Sequence, residues 1–156
     1  MARLFAAFEM QVEVFDPYLP ADTAWPEGVR RVDDRARALA GVARYELLLM
    51  AELGFGPDLS NCVVTGATTD LAYVSPKSSH AVSRGAGLPY AARLLPLPAL
   101  LLGADDTPSW DDVAAALHTT GHFLERDMLT GRLAALLAAR TRLTSLIARQ
   151  QDAAVR

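Results

Sequence analysis

The first candidate for chemistry is a pair of histidines, His118 and His122, which lie four residues apart in a segment typical of a helix. This spacing places both imidazoles on one helical face, with Glu125 about a turn further along. Two histidines and a carboxylate can hold a catalytic metal ion, so one interpretation is a metal-dependent hydrolase. However, Thr119 stands where the metalloprotease pattern requires glutamate, and a third ligand is not obvious. The alternative is that one histidine packs inside and the other is partly exposed.

Cys62, the single cysteine, is a second candidate, because a thiolate paired with a histidine can act as a nucleophile. No histidine partner is identifiable from the sequence, and a lone cysteine is more often a small buried hydrophobic residue. One cysteine excludes an internal disulfide in this chain and a zinc site built from its cysteines alone. The glycine-rich loops that cradle nucleotide phosphates are also absent from the sequence.

A candidate binding face lies on the predicted central helix. Its members follow one another at spacings of four, three and four residues, so they share one side of the helix: Arg37, Gly41, Arg44 and Leu48. Gly41 would let a ligand approach the backbone, and the two arginines could hold carboxylates of that ligand. The alternative is that both arginines are solvated surface charges.

Positive charge is concentrated near the C-terminus of the chain. The formal net charge is −3, which gives no overall attraction to nucleic acid or to an anionic membrane. After residue 125, however, six arginines stand against two aspartates. Arg132, Arg140 and Arg142 could form a modest stripe that contacts DNA phosphates. The alternative is that these cations are favourably placed on a C-terminal helix.

The elements that must position these residues are predicted to be mainly helical, because alanine and leucine dominate and only 7% of residues are aromatic. The central helix is predicted from about Val32 to Leu53, with Asp33 and Asp34 in its first turn and a stop at Gly54. Leucines cover most of its circumference, which predicts a buried helix.

Further helices are predicted at residues 2–16, about 107–128 and about 131–150. The second of these would have Thr107 as its N-cap and Pro108 at its first position. A small β lobe is predicted at 60–92, with strands at 62–65, 71–74 and 80–83. The predicted fold is therefore a helical bundle (residues 1–59 and 93–150) with an inserted β-hairpin lobe, followed by a frayed tail at 151–156.

The sequence shows no targeting segment or membrane span. The longest apolar run, residues 94–102, contains two prolines and is too short to cross a bilayer. This run is predicted to be a buried connection with about one helical turn. We therefore expect a cytoplasmic protein that makes no membrane contact.

Two stretches, RYELLLMAELGFGPDLSNCVVTGATTDLAYVSPKSSHAVSRGAG and ALHTTGHFLERDML, resemble the C-terminal part of the DNA repair protein RecO family, particularly its proteobacterial forms. The specific signal is an R-[FY]-E-L-x-L-L helix, matched here except for Met50 at its last position, followed by L-G-[FY]-G and D-L-x-x-C, within about residues 40–130. The resemblance implies a helical domain with a zinc-finger-like lobe. RecO proteins also carry an N-terminal OB-fold, which is not found here, so we expect a truncated form.

The zinc-finger-like lobe departs from the family pattern. Many relatives hold it with zinc through two C-x-x-C pairs, but only Cys62 stands at a ligand position in this chain. Thr65 occupies the second position, and the following hairpin has no cysteine. The resemblance therefore implies a lobe without zinc, held by the packing of residues such as Val64, Tyr73 and Val82.

The function that the resemblance implies is that of a DNA repair and recombination adaptor, not an enzyme, with no cofactor. Family members anneal strands and, with RecR, help to load recombinase onto DNA coated by single-stranded DNA-binding protein (SSB). Their helical domain can accept the acidic, phenylalanine-ending tail of SSB, and Arg44 matches a basic position implicated in that contact. The implied protein is cytoplasmic and nucleoid-associated, and its DNA binding without the OB-fold is weak. A metal-dependent hydrolase and a non-functional helical remnant are the alternatives.

Overall fold

The computed structural model describes residues 12–32, 34–104, 107–129 and 135–154. Helices run over Arg35–Glu52 (α1), Arg84–Gly87 (α2), Trp110–Asp127 (α3) and Ala135–Ala154 (α4). Strands run over Val12–Val14 (β1), Val29–Arg31 (β2), Leu71–Val74 (β3), Ala81–Ser83 (β4) and Leu95–Pro96 (β5). Two 3-10 helices cover Leu88–Arg93 and Ala99–Leu102. The predicted class, mainly α with a small β part, is confirmed.

The central helix α1 begins one residue after Asp34, which caps it. The Asp34 side chain accepts a hydrogen bond from the backbone N–H of Ala36 at 2.8 Å, from a non-helical backbone conformation. Asp34 is therefore the cap, and the prediction that it lies inside the first turn is wrong; Asp33 lies outside the described residues. The helix ends near the predicted stop, where Gly54 adopts φ +79°.

One side of α1 is buried and the other is not. Its buried residues are small or slender, namely Ala36, Ala40, Ala43 and Met50, and this side packs mainly against α3. Leu48 and Leu53 are 54% and 53% exposed, so the prediction of a helix buried on all sides is wrong. The alanine stripe explains the difference, because it lets α3 approach closely along one face only.

The predicted hairpin at 71–83 is confirmed, and it is part of a larger sheet. β3 and β4 pair antiparallel around the turn at residues 75–78, and β5 pairs antiparallel with the other edge of β3. β5 belongs to the proline-containing run 94–102, which the sequence predicts as a buried connection. Leu95, Leu97 and Leu100 of that run are indeed buried.

Residues 62–65 do not form the predicted strand. The backbone turns tightly here, with hydrogen bonds from the Gly66 N–H to the Cys62 carbonyl at 2.8 Å and from the Cys62 N–H to the Ala67 carbonyl at 2.7 Å. Val64 is consequently 69% exposed and does not hold the lobe, contrary to the prediction. Val82 is buried, as the prediction requires.

A second, unpredicted sheet lies near the start of the described chain. β1 pairs in parallel with β2, and Glu13 lies opposite Arg30. The predicted helix at 2–16 is therefore wrong at 12–14, and residues 1–11 lie outside the described chain. Two β-branched valines flank Glu13 and favour extended backbone, although the apolar spacing also fits a helix.

The core lies between α1, α3, α4 and the three-stranded sheet. Its largest fully buried side chains are Phe123, Met50, Leu117, Ile147 and Val74. α4 continues to Ala154, past the predicted end at residue 150. Within the described residues, no helix is long and apolar enough to cross a membrane.

The N-terminus of α3 is capped by Ser109, not by the predicted Thr107. The Ser109 hydroxyl accepts a hydrogen bond from the Asp112 N–H at 3.1 Å, and the Asp112 carboxylate accepts one from the Ser109 N–H at 3.1 Å. This reciprocal capping box provides acceptors for two backbone N–H groups that have no hydrogen-bond partner within the helix. The missed signal was the serine three residues before Asp112.

We expect Ser109→Ala to lower the free energy of unfolding by about 1 kcal/mol, because it leaves a helix-terminal N–H without its acceptor. Thr107→Ala is the matched control and should change stability by less than about 0.5 kcal/mol. Urea denaturation followed by circular dichroism measures both. Equal losses for the two variants would contradict the assigned cap.

Candidate functional site

The predicted face of α1 has one arginine fixed by the backbone of a neighbouring segment. Arg44 donates from Nε to the Leu100 carbonyl at 3.1 Å and from Nη2 to the Ala104 carbonyl at 2.5 Å. Both acceptors belong to the end of the 3-10 helix at Ala99–Leu102 and the turn that follows it. Arg44 is therefore a half-buried, oriented cation and not a freely solvated charge.

At the N-terminal part of the same face, a carboxylate from β1 already lies beside Arg37 and Gly41. Glu13 Oε1 is 3.9 Å from Arg37 Nε, and Glu13 also forms a close ion pair with Arg30. A Cβ atom built on Gly41 would lie 3.9 Å from Glu13 Oε2. The open approach that Gly41 was predicted to give a ligand is thus partly taken by Glu13.

The C-terminal part of the face is apolar and open to solvent. Leu48 is 54% exposed, and Tyr45, which the sequence analysis missed, is 56% exposed. Tyr45 lies four residues after Gly41 and three before Leu48, so the same helical spacing could have identified it. An oriented arginine beside exposed apolar side chains can bind a carboxylate attached to an apolar group.

The predicted stripe of basic residues near the C-terminus is corrected at Arg140, which points into the bundle. Its guanidinium pairs with Glu46 at 2.9 Å and 3.0 Å, and both side chains are nearly buried, at 13% and 12% exposure. Arg140 also donates to the Leu117 carbonyl. Arg142 is exposed on α4, while Arg132 lies outside the described residues.

Gly121 makes room for this ion pair. A Cβ atom at position 121 would collide with the guanidinium of Arg140, so only glycine fits there without a shift. The Thr120 hydroxyl donates to the Glu46 carboxylate at 2.5 Å. The signal that could have revealed the pair is a charged residue, Glu46, on the otherwise apolar inward side of α1.

His118, His122 and Glu125 do not form a metal site. They line, with α4, a groove of about 340 Å³. His122 Nε2 lies 3.3 Å from the Pro76 carbonyl, and His118 is exposed. Nowhere in the described chain do three histidine, cysteine or acidic side chains converge as ligands would. The structure therefore gives no support to the metal-dependent hydrolase.

Arg126 joins α3 to the turn of the β3–β4 hairpin. It donates to the Pro76 carbonyl at 2.6 Å and to the Ser79 hydroxyl at 2.8 Å. It also pairs with Asp127 at 2.6 Å, and its hydrogen bonds lower the pKa of that carboxyl. In the sequence, Arg126 is one of six arginines near the C-terminus. In the structure, it holds the lobe against the helical bundle.

Cys62 is buried, at 1% exposure, beside the hydroxyls of two neighbours. Hydrogen bonds from Ser83 and Thr65 lower the pKa of the Cys62 thiol to about 6, and burial opposes them. Two of the three histidine imidazoles contact carbonyl oxygens, His80 that of Ser78 and His122 that of Pro76. Because the Cys62 sulfur is buried, reagents in solvent do not reach it, and the structure gives no support to the nucleophile hypothesis.

Comparison with known proteins identifies relatives over most of the chain. The family model described as Recombination protein O C terminal matches residues 29–135. A DNA repair protein RecO from Cereibacter sphaeroides (strain ATCC 17029 / ATH 2.4.9) is 46% identical over 135 residues, covering 83% of this chain and 55% of the relative. A RecO from Bradyrhizobium sp. (strain ORS 278) is 46% identical over 124 residues, covering 71% of this chain and 50% of the relative.

The chain spans about half the length of the curated relatives that it matches. A RecO of Caulobacter vibrioides (strain NA1000 / CB15N) is also 46% identical, and the match covers 69% of this chain and 47% of that protein. No solved structure matches the chain significantly.

We expect Arg140→Met to lower the free energy of unfolding by about 3–5 kcal/mol, because it leaves the Glu46 carboxylate buried and unpaired. Arg142→Met on the exposed side of α4 should cost less than about 0.5 kcal/mol. Urea denaturation separates the two. The double replacement Glu46→Leu with Arg140→Met should regain most of the loss, since no unpaired charge remains; a loss as large as that of the single variant would contradict the pair's assigned role.

We expect the Cys62 thiolate, followed by its ultraviolet absorbance, to titrate with a midpoint of about 6 in the native protein. Ser83→Ala removes the main hydrogen bond and should raise that midpoint towards the ordinary value of about 8.5. Because folding lowers this pKa, the thiolate stabilises the native state fully above the unfolded pKa. That contribution decreases as the pH falls and disappears below about 6. A native midpoint near that of the unfolded chain would contradict the hydrogen bonds.

Proposed function

The chain belongs to the family of the DNA repair protein RecO, and from that premise we propose that it is a non-enzymatic repair and recombination adaptor that binds the acidic C-terminal tail of SSB. The supporting observation is the arrangement of Arg44, Tyr45 and Leu48 on the solvent side of α1. An oriented guanidinium there adjoins exposed apolar side chains. A peptide that ends in a phenylalanine with a free carboxylate presents the complementary groups.

Arg44 is well prepared to take the terminal carboxylate of such a peptide. Its bonds to the Leu100 and Ala104 carbonyls use two of the five N–H groups of the guanidinium. The others can bind a carboxylate, and a side chain that is already held loses less conformational entropy on binding.

The phenylalanine ring of the peptide would pack on Leu48 and Tyr45. Both side chains expose more than half of their surface, so covering them removes apolar area from water without first displacing an internal contact. The aromatic ring of Tyr45 can also contact a second ring edge to face. The same α1 face therefore supplies both the charge and the apolar surface that the proposed ligand needs.

The same proposal includes two further partners and a cellular location. RecR is the proposed protein partner in recombinase loading, and DNA is a weak ligand. Arg140 pairs with Glu46 inside the fold, so it is no longer one of the cations proposed to contact DNA. Arg142 is exposed and remains a proposed DNA contact. The proposed location is the cytoplasm, in association with the nucleoid.

Fluorescence anisotropy with a labelled SSB tail peptide tests the proposal. We expect saturable binding that weakens with added salt and that Arg44→Ala weakens by about tenfold to a hundredfold, the loss of one charge-assisted contact. Leu48→Asp should also weaken it, by removing apolar contact and adding a negative charge. Arg35→Ala removes an exposed arginine at the start of the same helix and is the matched control.

Because Arg44 also holds the Leu100 segment, circular dichroism and thermal unfolding must show that each variant is folded. Leu48 is exposed, so its replacement tests the face without disturbing that segment. Unchanged affinity in both Arg44→Ala and Leu48→Asp would refute the assigned face. A folded protein that binds no peptide at all would indicate a helical remnant without this function.

A further inference from the structure

Glu13 occupies the end of the α1 face that lies away from Arg44. It stands at the middle of β1, directly opposite Arg30 in the parallel pairing with β2. Its carboxylate contacts Arg30 closely and lies 3.9 Å from Arg37 Nε. It is also the side chain nearest to the position that a Cβ on Gly41 would take. The chain thus places one of its own carboxylates where an acidic ligand would meet Arg37.

The two ends of the face are about 10 Å apart, because seven residues of helix separate Arg37 from Arg44. An extended peptide covers that distance with about three residues. When the terminal carboxylate of a peptide is at Arg44, an acidic side chain about three residues upstream reaches Arg37. The upstream acidic residues of the peptide therefore meet Glu13, and the terminal group does not.

We propose that Glu13 is an internal competitor that sets how strongly this face holds the upstream acidic residues of its peptide ligand. This inference rests on the proposed function of the face. In the free protein, the Glu13 carboxylate neutralises part of the charge of Arg37. In the complex, a carboxylate of the ligand must share Arg37 with Glu13 or displace Glu13 from it, and the two carboxylates repel each other. Glu13 thereby reduces the advantage in affinity that ligands with several carboxylates have over ligands with one.

The size of the effect follows from the geometry. At 3.9 Å, with side-chain exposures of 22% and 26%, the Arg37–Glu13 pair is loose and partly solvated. Pairs of this kind are weak, so the competitor is easily displaced and changes affinity by only about 1.5-fold to fivefold. The closer contact with Arg30 keeps the Glu13 carboxylate near the face after displacement.

The experiment compares Glu13→Gln with the wild type in the same anisotropy titration, using two labelled peptides. One carries the acidic residues and the terminal phenylalanine, and the other has its upstream acidic residues replaced by serine. We expect Glu13→Gln to tighten binding of the first peptide by about 1.5-fold to fivefold and to leave the second nearly unchanged. Glu27→Gln removes the same charge from an exposed loop residue and is the matched control.

A double-mutant cycle shows whether Glu13 acts through Arg37. In the Arg37→Gln background, the gain from Glu13→Gln should disappear if it comes from Arg37, because Arg30 is still present there but Arg37 is not. Circular dichroism confirms that β1 and α1 remain folded in each variant. An equal gain in both backgrounds, or an equal gain from Glu27→Gln, would mean a general charge effect and would overturn the inference.

The outcomes separate this inference from the function on which it rests. If the wild type binds the acidic peptide and folded Glu13→Gln binds it no more tightly, the competitor role is wrong and the peptide site remains. If neither protein binds either peptide at high concentration, the peptide site itself is wrong, and the competitor role is lost with it.

Discussion

The ion pair between Glu46 and Arg140 is the constraint to which the packing of α1, α3 and α4 conforms. It joins α1 to α4 across α3, where the Thr120 hydroxyl and the Leu117 carbonyl complete the hydrogen bonding. A charge pair this far from water must be well satisfied, because each ion has lost most of its hydration. Gly121 is part of the same arrangement, since any side chain there would push the guanidinium away. The arrangement fixes which side of α1 faces inward.

The exposed face of α1 follows from that choice. Because Glu46 and the alanine stripe turn inward, Arg44, Tyr45 and Leu48 are left on the other side, towards solvent and the Leu100 segment. Met50 is buried on the inward side, but Tyr45 and Leu48 are not covered by any described segment and keep more than half of their surface exposed. This apolar surface beside a held cation is the physical basis of the proposed ligand site.

The sequence predicted those elements whose signals are local. The end of α1 at Gly54 and the β3–β4 hairpin depend on turn chemistry and on neighbouring β-prone residues, so they could be recognised in short windows. The strand at Val12–Val14 and the inward direction of Arg140 depend on distant partners. Val12 needs Val29, and Arg140 needs Glu46, ninety-four positions away in the chain. For the candidate site, spacing identified the shared face, but only the fold could show which cations were already paired.

The two arginines of the face illustrate how internal partners divide one surface into unequal parts. Arg44 is held by neutral carbonyl groups, which orient the guanidinium and leave its charge uncompensated. Arg37 lies beside a carboxylate, which cancels much of the charge that it could offer. A ligand carboxylate therefore gains most at Arg44, while at Arg37 it gains only the difference between itself and Glu13. In the proposed complex, the same helix would thus provide a strong anchoring point at Arg44 and, about 10 Å away, a weaker point at Arg37 that adjusts the affinity.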